Sequence, residues 1–454
     1  MKDEAVYGKL AELASSGKIP SELFAERGIK KGLRNEDGTG VPVILTRISD
    51  VTGYEKRDGN PVPVEGRLIY RGIEIQELVD GFQSENRLGF EDTAYLLMFG
   101  DLPNAAQSAE FNSLLVRNRP VPDQLVREVI LPRPHPDIML KLIDVVSSLG
   151  SEDEHANDTS TQNVTMQCVS LIAKFPAIVA YSYIANLTKP NNGNGATIGI
   201  YLNPPNPRLS TAENFLQMVR RDQKYTSLEA GTLDMLLMAH ADHSGGNNSA
   251  FTTHCVTSSR SDTYSTICAA LASLKGPLHG GASEKVIEMM EHIKSGVKDW
   301  KDRDEVKAYL RRVLEKKVGD CSGLIYGVGH PVYTLSDPRA VLLSKKAEEL
   351  AAATGRTDEF TLLKNVADLA QAAFTEVKGH KKVIAPNVDF YSGFVYSCLG
   401  VPVSIETAIF AMGRIAGWSA HRIEELVNAN PIMRPASIYV GPGLRSYVPM
   451  AQRG

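Results

Sequence analysis

The sequence has few cysteines and no strong excess of charge of either sign. Its five cysteines are scattered and none forms a CxxC pair, which argues against a disulfide framework and a zinc ribbon. A net charge of −4 gives no reason to expect nucleic acid or an anionic membrane surface as a partner. The N-terminus lacks the apolar core of a signal peptide, and no uninterrupted apolar run approaches the ~20 residues that span a bilayer. We therefore expect a reduced, cytoplasmic protein that binds neither membrane nor nucleic acid.

Hydrophobic residues at helical spacing dominate the chain. Hydrophobic residues make up 43% of its 454 residues and charged residues 22%, which is ordinary for a globular protein with a sizeable core. The helical pattern runs from residue 76 onwards, as in FEDTAYLLMF, which ends at the natural C-cap Gly100. Only residues 43–75 have a convincing β pattern, with a hairpin signal at Asp58-Gly59. The sequence predicts a mainly α protein, well over half helix, with a short β-hairpin near the N-terminus.

Composition also predicts the domain organisation. Residues 1–42 read as a helical segment followed by a linker. Residues 43–280 and 391–454 are apolar and are predicted to form one large multi-helix domain. Residues 281–390 are more polar and bounded by glycine-rich breaks, so we expect them to form a smaller helical domain that moves separately.

Four of the ten histidines fall within residues 236–280. His240 and His243 stand three apart at a predicted helix end, where two metal ligands could share a face. No convincing third ligand accompanies them, so no metal is expected. His243 precedes Gly245-Gly246, and glycines let a backbone come close to a ligand. We therefore expect His243 to face a bound anion, and His240 and His254 to be structural.

Two other histidines lie in glycine-containing loops. His279 stands in GPLHG between two predicted helices, and His330 ends GVGH. The plain interpretation is a surface histidine in a turn. A loop held by glycine and proline is nearly fixed, however, and a histidine there could act as acid or base or polarise a carbonyl.

Three arginines stand in unusual places. Arg339 follows Asp337-Pro338 in the first turn of a helix, where the helix dipole disfavours a cation. Arg414 lies inside an apolar helix, and a buried arginine without an anionic partner is costly. Arg434 follows in MRPA. Surface or structural roles are the plain alternatives, but bidentate arginine–carboxylate pairing makes the set suitable for a small dicarboxylate.

Asp389, in PNVDFYSG, is the candidate carboxylate. It could be only the N-cap of the next helix. Val388 and Phe390 flank it, however, and an acid desolvated by such neighbours gains basicity, which suits abstraction of a weakly acidic C–H proton.

The combination resembles the citrate synthase family. The motifs HADHSGGNNS, GPLHG, GVGH…DPR and PNVDFYSG stand in that family's order and at its spacing. Weaker likeness covers about residues 43–440. The ordered set is specific, although each motif alone is weak.

The resemblance implies an acyltransferase that condenses oxaloacetate with acetyl-CoA and water to give citrate and CoA, with acetyl-CoA as substrate and no cofactor. Asp389 resembles the base that removes a methyl proton, His279 the group that hydrogen-bonds the thioester oxygen, and His330 the donor that polarises the keto carbonyl. The oxaloacetate set would be His243, Arg339, Arg414 and Arg434, together with His330. Asn247 and Ser249 would be supporting residues, with Ser249 fixing the His279 ring. A homodimer is implied, with Arg434 contributed across the interface.

Some features depart from the family pattern or leave alternatives open. The family often has basic residues between the positions of His330 and Asp337, where this chain has none. The candidate CoA contacts are therefore Lys381 and Lys382, with Gly327, Gly329 and Asn387. Residues 1–42 do not resemble the regulatory extension of some bacterial members, so NADH control of that type is not expected. The alternatives are a 2-methylcitrate synthase using propionyl-CoA, a non-catalytic sensor on the same fold, and a metallohydrolase.

Overall fold

Helices make up 58% of the chain in the computed structural model, which describes residues 2–58, 60–188, 199–379 and 383–453. Within these ranges there are 18 α-helices and one three-stranded sheet, so the predicted fold class is confirmed. The strands are β1 (Ser49–Arg57), β2 (Asn60–Tyr70) and β3 (Ile73–Glu74). The helices are α1 (Lys2–Ser15), α2 (Ser21–Glu26), α3 (Ile75–Ser84), α4 (Phe90–Phe99), α5 (Ala105–Asn118), α6 (Asp123–Leu125), α7 (Ile138–Glu152), α8 (Thr161–Leu187), α9 (Thr211–Val219), α10 (Ser227–His240), α11 (Asn248–Ser258), α12 (Thr263–Leu274), α13 (Ala282–Gly296), α14 (Arg303–Leu314), α15 (Pro338–Ala353), α16 (Thr357–Lys378), α17 (Val388–Cys398) and α18 (Glu406–Val427).

Local sequence explains where many helices begin and end. Side chains at Ser210 and Thr226 cap α9 and α10, and each forms a reciprocal capping box with a glutamate three residues on. Asp337 caps α15, and Pro338 occupies its first turn. Helix α4 ends at Gly100, whose φ of +105° lies in the left-handed region that glycine adopts without strain.

Two long helices run through the core. Helix α8 packs against α5, α7, α9 and α18, and α18 also packs against α4, α10, α11 and α12. Helix α8 is long and apolar enough to cross a membrane by length and composition, but 83% of its most apolar window is buried inside the protein. It is therefore a core helix, and it is apolar on all sides because other helices pack around it.

Helices α13 to α17 pack mainly on one another. Helix α14 lies against α16, and α17 lies between α13 and α15. Helix α15 also contacts α3, α10 and β2. The loop before α15 and the start of α17 are thereby brought next to the end of α10.

The β-hairpin forms where it was expected. Strands β1 and β2 pair antiparallel, with an irregularity between Thr52 and Tyr54, and Asp58 at the turn has a positive φ of 51°. The hairpin packs on the loop that follows His330. The Thr334 hydroxyl donates to the Gly53 carbonyl, and the Gly66 N–H donates to the Ser336 hydroxyl at 3.1 Å.

Candidate active site

One pocket of about 770 Å³ receives residues from distant parts of the chain. We call it the central pocket, and it is lined among others by His243, His279, His330, Arg339, Asp389 and Arg414. The loops after α10 and α12, the loop before α15, and helices α15, α17 and α18 present these side chains. Long-range packing thus gathers the six predicted residues around one space.

Arg414 and His243 reach the pocket with unsatisfied polar atoms. Arg414 is fully buried and its Nε donates to the His240 carbonyl, while Nη1 and Nη2 have no hydrogen-bond partner among the described residues. The His243 Nε2 likewise has none within that part of the chain. Burial lowers the pKa of Arg414 to about 10. Because unpaired buried charge is costly, this guanidinium is suited to an anionic ligand.

Arg339 is held by its own helix cap. Its Nε and Nη2 lie 3.0 and 2.8 Å from the two carboxylate oxygens of Asp337, and its guanidinium lies 5.5 Å from the centre of the Tyr333 ring. Burial lowers the pKa of Arg339, but the Asp337 carboxylate, Tyr333 and Asp389 together outweigh burial and raise it. The Asp337 carboxylate offsets the unfavourable interaction of the Arg339 cation with the helix dipole. It also fixes the direction of the guanidinium.

The backbone sets the tautomer of His330. Its Nδ1 lies 3.0 Å from the Val332 N–H and 3.1 Å from the Tyr333 N–H. Since Nδ1 accepts both hydrogens, the ring proton is on Nε2. Burial lowers the pKa of His330 to about 4, and the Arg339 charge acts in the same direction. His330 is therefore a neutral ring whose Nε2–H can donate.

His279 rests on a small polar cluster. Its Nε2 lies 3.1 Å from the Ser249 hydroxyl, which also accepts the Trp418 indole N–H at 3.1 Å. The same hydroxyl lies 2.8 Å from the Asn247 Oδ1. Burial lowers the pKa of His279 to about 4, so this ring is also neutral at pH 7. The cluster fixes the ring orientation and connects three sequence-predicted residues.

Asp389 does not cap its helix. Asn387 is the N-cap of α17 and accepts the Asp389 N–H at 3.0 Å, so the capping interpretation of Asp389 is wrong. The Asp389 carboxyl lines the pocket instead. Burial raises its pKa to about 6, and the Arg339 charge opposes this rise. A carboxylate in this state is a stronger base than an exposed one.

Other predicted positions lie around or away from the pocket. Gly329 and Asn387 line it, and Gly327 packs on Phe390 with a positive φ of 73°. Arg434 is exposed and is not among the lining residues of this single chain. Lys381 and Lys382 lie outside the described residues.

The comparisons with known proteins agree over most of the chain. The family model described as citrate synthase, C-terminal domain, matches residues 34–436. The citrate synthase of Deinococcus radiodurans is 36% identical over 392 residues, covering 86% of this chain and 93% of that protein. The citrate synthase of Synechocystis is 33% identical over 417 residues, covering 91% and 92%.

The chain belongs to the citrate synthase family. It is an acyltransferase of the kind that condenses acetyl-CoA with oxaloacetate.

Solved citrate synthases have the same fold. The enzyme from Thermotoga maritima is 31% identical with a TM-score of 0.70, covering 91% of this chain and 98% of that one. The enzyme from Thermoplasma acidophilum, solved as a ternary complex with carboxymethyl coenzyme A and oxaloacetate, is 27% identical with a TM-score of 0.76, covering 93% of this chain and 99% of that one.

Several features of the site could not be predicted from the sequence. Residues 32–34 and 40–44 line the central pocket, although the sequence predicted only the end of a helical segment, a linker and the start of the β region there. Arg34 lies at the pocket beside the His330 loop, with Nη1 3.4 Å from the Pro331 carbonyl and 3.0 Å from the Gly38 carbonyl. The clustering of charge and glycine in this segment was the available signal, but nothing local indicated its long-range contact.

Proposed function

We propose that the central pocket forms citrate from oxaloacetate and acetyl-CoA, with Asp389, His279 and His330 as its catalytic residues. One observation carries this assignment: a carboxylate with a raised pKa and two neutral histidines line the same pocket as two buried arginines. A base, hydrogen-bond donors and cations for a dicarboxylate are the groups that this condensation needs.

The base step belongs to Asp389. A thioester methyl group is a weak acid, so its proton leaves only if the base is strong and the forming enolate is stabilised. Burial strengthens Asp389 as a base. His279 would stabilise the thioester oxygen by donating a hydrogen bond from Nδ1, which requires the Ser249 hydroxyl hydrogen to turn from the Asn247 Oδ1 to the His279 Nε2.

The carbon–carbon bond then forms at the keto carbon of oxaloacetate. The methyl carbon of the enolate attacks that carbon, and the keto oxygen gains a proton to become a hydroxyl group. This proton balances the one that the methyl group lost to Asp389. The His330 Nε2–H is suited to polarise the keto oxygen because Nδ1 is already occupied by two backbone N–H groups. Water then cleaves the thioester of the citryl-CoA intermediate and releases the CoA thiol.

Oxaloacetate is assigned to His243, Arg339 and Arg414. The support is the two unpaired guanidinium nitrogens of Arg414, the unpaired Nε2 of His243 and the oriented guanidinium of Arg339. Each of the two carboxylates of oxaloacetate would then pair with a cation.

We assign binding of the CoA phosphates to Arg34, which was not among the predicted CoA contacts. The supporting observation is its position at the pocket, beside the loop that lacks the expected basic residues. Arg34→Ala should raise the KM for acetyl-CoA more than the KM for oxaloacetate. An equal effect on both values would contradict this assignment.

Closure of residues 281–390 over the rest of the chain is part of the proposal. It would exclude water from the reacting groups. The hydrogen bonds that join Thr334 and Ser336 to the hairpin would keep the His330 loop attached to residues 43–280 while the remainder moves. Small-angle scattering should show a smaller radius of gyration with oxaloacetate bound, and an unchanged radius would contradict closure.

We also propose that the enzyme is a homodimer, that it needs no cofactor, and that it is cytoplasmic. The five cysteines are free, as expected of a reduced compartment. In the C-terminal stretch, large apolar side chains such as Tyr439, Leu444 and Tyr447 are exposed, which supports burial against a second copy. If no metal cofactor is needed, the enzyme should keep full activity after dialysis against a chelator. A loss of activity that added metal restores would contradict the absence of a cofactor.

A thiol-release assay tests the function. With oxaloacetate and acetyl-CoA, the purified chain should release CoA continuously, and more slowly with propionyl-CoA. Faster release with propionyl-CoA would assign a 2-methylcitrate synthase instead, although one methylene group is worth only about 1–3 kcal/mol in a pocket. No release with either thioester would overturn the catalytic proposal.

A further inference from the structure

Behind the central pocket, four buried ionisable side chains form a continuous hydrogen-bonded chain. We call Glu425, His254, His421 and Asp242, in that order, the buried relay. The Glu425 Oε2 lies 2.8 Å from the His254 Nδ1, and the His254 Nε2 lies 3.0 Å from the His421 Nδ1. The His421 Nε2 lies 3.2 Å from both carboxylate oxygens of Asp242. None of the four side chains is more than 3% exposed.

The contacts fix the number of protons in the relay. An ionised carboxylate can only accept, so with Glu425 and Asp242 ionised the His254 Nδ1 and the His421 Nε2 are both protonated. In the middle, two ring nitrogens lie 3.0 Å apart, and two bare lone pairs would repel at that distance. One more proton between them makes this contact a hydrogen bond. The two rings then hold three protons and one positive charge.

The charges around the rings favour one extra proton but not two. Asp242, Glu425 and Glu424 surround the pair, while the cations Arg414 and Arg71 act on Asp242 and Glu424 respectively. A single cation offsets part of this buried negative charge. A second positive charge on the pair is unfavourable, because burial and the neighbouring His421 lower the pKa of His254.

The relay supports the turn that presents the pocket residues. A Cβ built on Gly245 would lie 3.4 Å from the His254 Nε2 and 3.6 Å from the His421 Cε1, so the rings form the floor beneath this turn. Asp242 precedes His243, and its carboxylate accepts the Ser244 N–H at 3.1 Å and the Ser49 hydroxyl hydrogen. Displacing Asp242 would therefore displace His243.

We propose that His254 and His421 share one proton and act together as a single buried cation that positions Asp242 and, through it, His243. These are positioning residues, since their contacts are with other side chains. The effect on substrate rests on the proposed function of the central pocket, but the shared proton itself does not.

A bound metal ion is the competing explanation. Ligand atoms of His254, His421 and Glu424 lie within 4.8 Å of one another, and each histidine has a carboxylate on its other ring nitrogen, as metal ligands commonly do. The shared proton is favoured because it accounts for the direct 3.0 Å contact without another atom.

Nuclear magnetic resonance of the full-length enzyme labelled with ¹⁵N-histidine tests the proposal without substrate. With a shared proton, none of the four ring nitrogens of the pair should have the shift of a fully unprotonated nitrogen. His254→Gln and His421→Gln assign the signals, and His292→Gln at an exposed site is the control that should leave them unchanged. A fully unprotonated shift within the pair, or one equivalent of metal in the purified enzyme, would overturn the proposal.

Kinetics then test the positioning role. His421→Gln should raise the KM for oxaloacetate about tenfold while leaving the KM for acetyl-CoA nearly unchanged. The His292→Gln control should leave both values unchanged. Equal losses for both substrates would indicate a general structural defect and contradict positioning. Failure of the wild-type enzyme to release thiol would instead overturn the proposed function, while the proton count would stand.

Discussion

At the scale of single residues, burial sets the protonation states that the proposed chemistry uses. The same desolvation that raises the pKa of Asp389 lowers the pKa of His279 and His330, because low polarity disfavours charge of either sign. The result at neutral pH is one ionised base and two neutral donors.

The pH dependence of turnover follows from these shifts. Asp389 must be ionised to act as a base, so kcat should fall as the pH drops through about 6, the raised value for this carboxyl. His279 and His330 stay neutral until about pH 4 and should not contribute near pH 6. Initial rates at saturating substrate from pH 5 to 8 check this. A flat profile down to pH 5 would contradict the raised pKa of the base.

Arg414 offers a second residue-scale prediction. Arg414→Lys keeps a positive charge but removes the planar guanidinium that can bind a carboxylate with two hydrogen bonds. The KM for oxaloacetate should rise about 10- to 100-fold, since hydrogen bonds to charged groups are each worth about 1.5–3 kcal/mol. The KM for acetyl-CoA is the internal control and should change little. An unchanged value for oxaloacetate would remove Arg414 from its binding set.

At the scale of elements, the hairpin and the loop after His330 are fitted to each other. A Cβ on Gly53 would meet the Val332 carbonyl, and one on Gly66 would meet the Ser336 carbonyl. Both contacts are with backbone, which cannot rotate away. The two glycines therefore let the hairpin lie against the loop that orients His330.

Gly66→Ala should consequently displace this loop. We expect a destabilisation of roughly 1–3 kcal/mol from overpacking and a lower kcat, because His330 depends on the Val332 and Tyr333 N–H groups. Thermal unfolding and initial rates measure the two effects. Gly81→Ala within α3 is the matched control, because its added Cβ would meet nothing within 4 Å. Equal stability and rate in the two variants would contradict the fit.

Local patterns in the sequence predicted the elements and the residues of the pocket, but not its distant contacts. Gly100, Ser210 and Asp337 specify helix ends through their own neighbours, so they could be recognised directly. His421 and Asp242 are 179 residues apart, and Arg34 reaches Pro331 across 297. Such pairs depend on how distant elements pack, for His421 and Asp242 on the packing of α10 against α18, which no local pattern specifies.

At the scale of the whole molecule, the proposed homodimer makes a prediction about shared sites. Arg434 is exposed in the single chain, and we assign it to the partner's pocket. Asp389→Asn and Arg434→Ala should each be nearly inactive alone. After unfolding and refolding as a mixture, heterodimers should contain one pocket with both residues intact, and activity should return in part.

The pattern of recovery distinguishes the alternatives. Two separately prepared batches of Asp389→Asn, mixed and refolded in the same way, are the control and should stay inactive. If Arg434 acted within its own chain, each heterodimer pocket would lack one residue, and no activity would return.

Turnover by Asp389→Asn, measured together with oxaloacetate binding, tests the central claim most directly. The substitution removes the base but keeps nearly the same shape. Thiol release from acetyl-CoA should fall by about 10³-fold or more, while calorimetry should show oxaloacetate bound with nearly wild-type affinity. The exposed Asp101→Asn variant is the control and should behave as wild type. Thiol release near the wild-type rate in Asp389→Asn would contradict the assignment of the base, and with it the proposed chemistry of the central pocket.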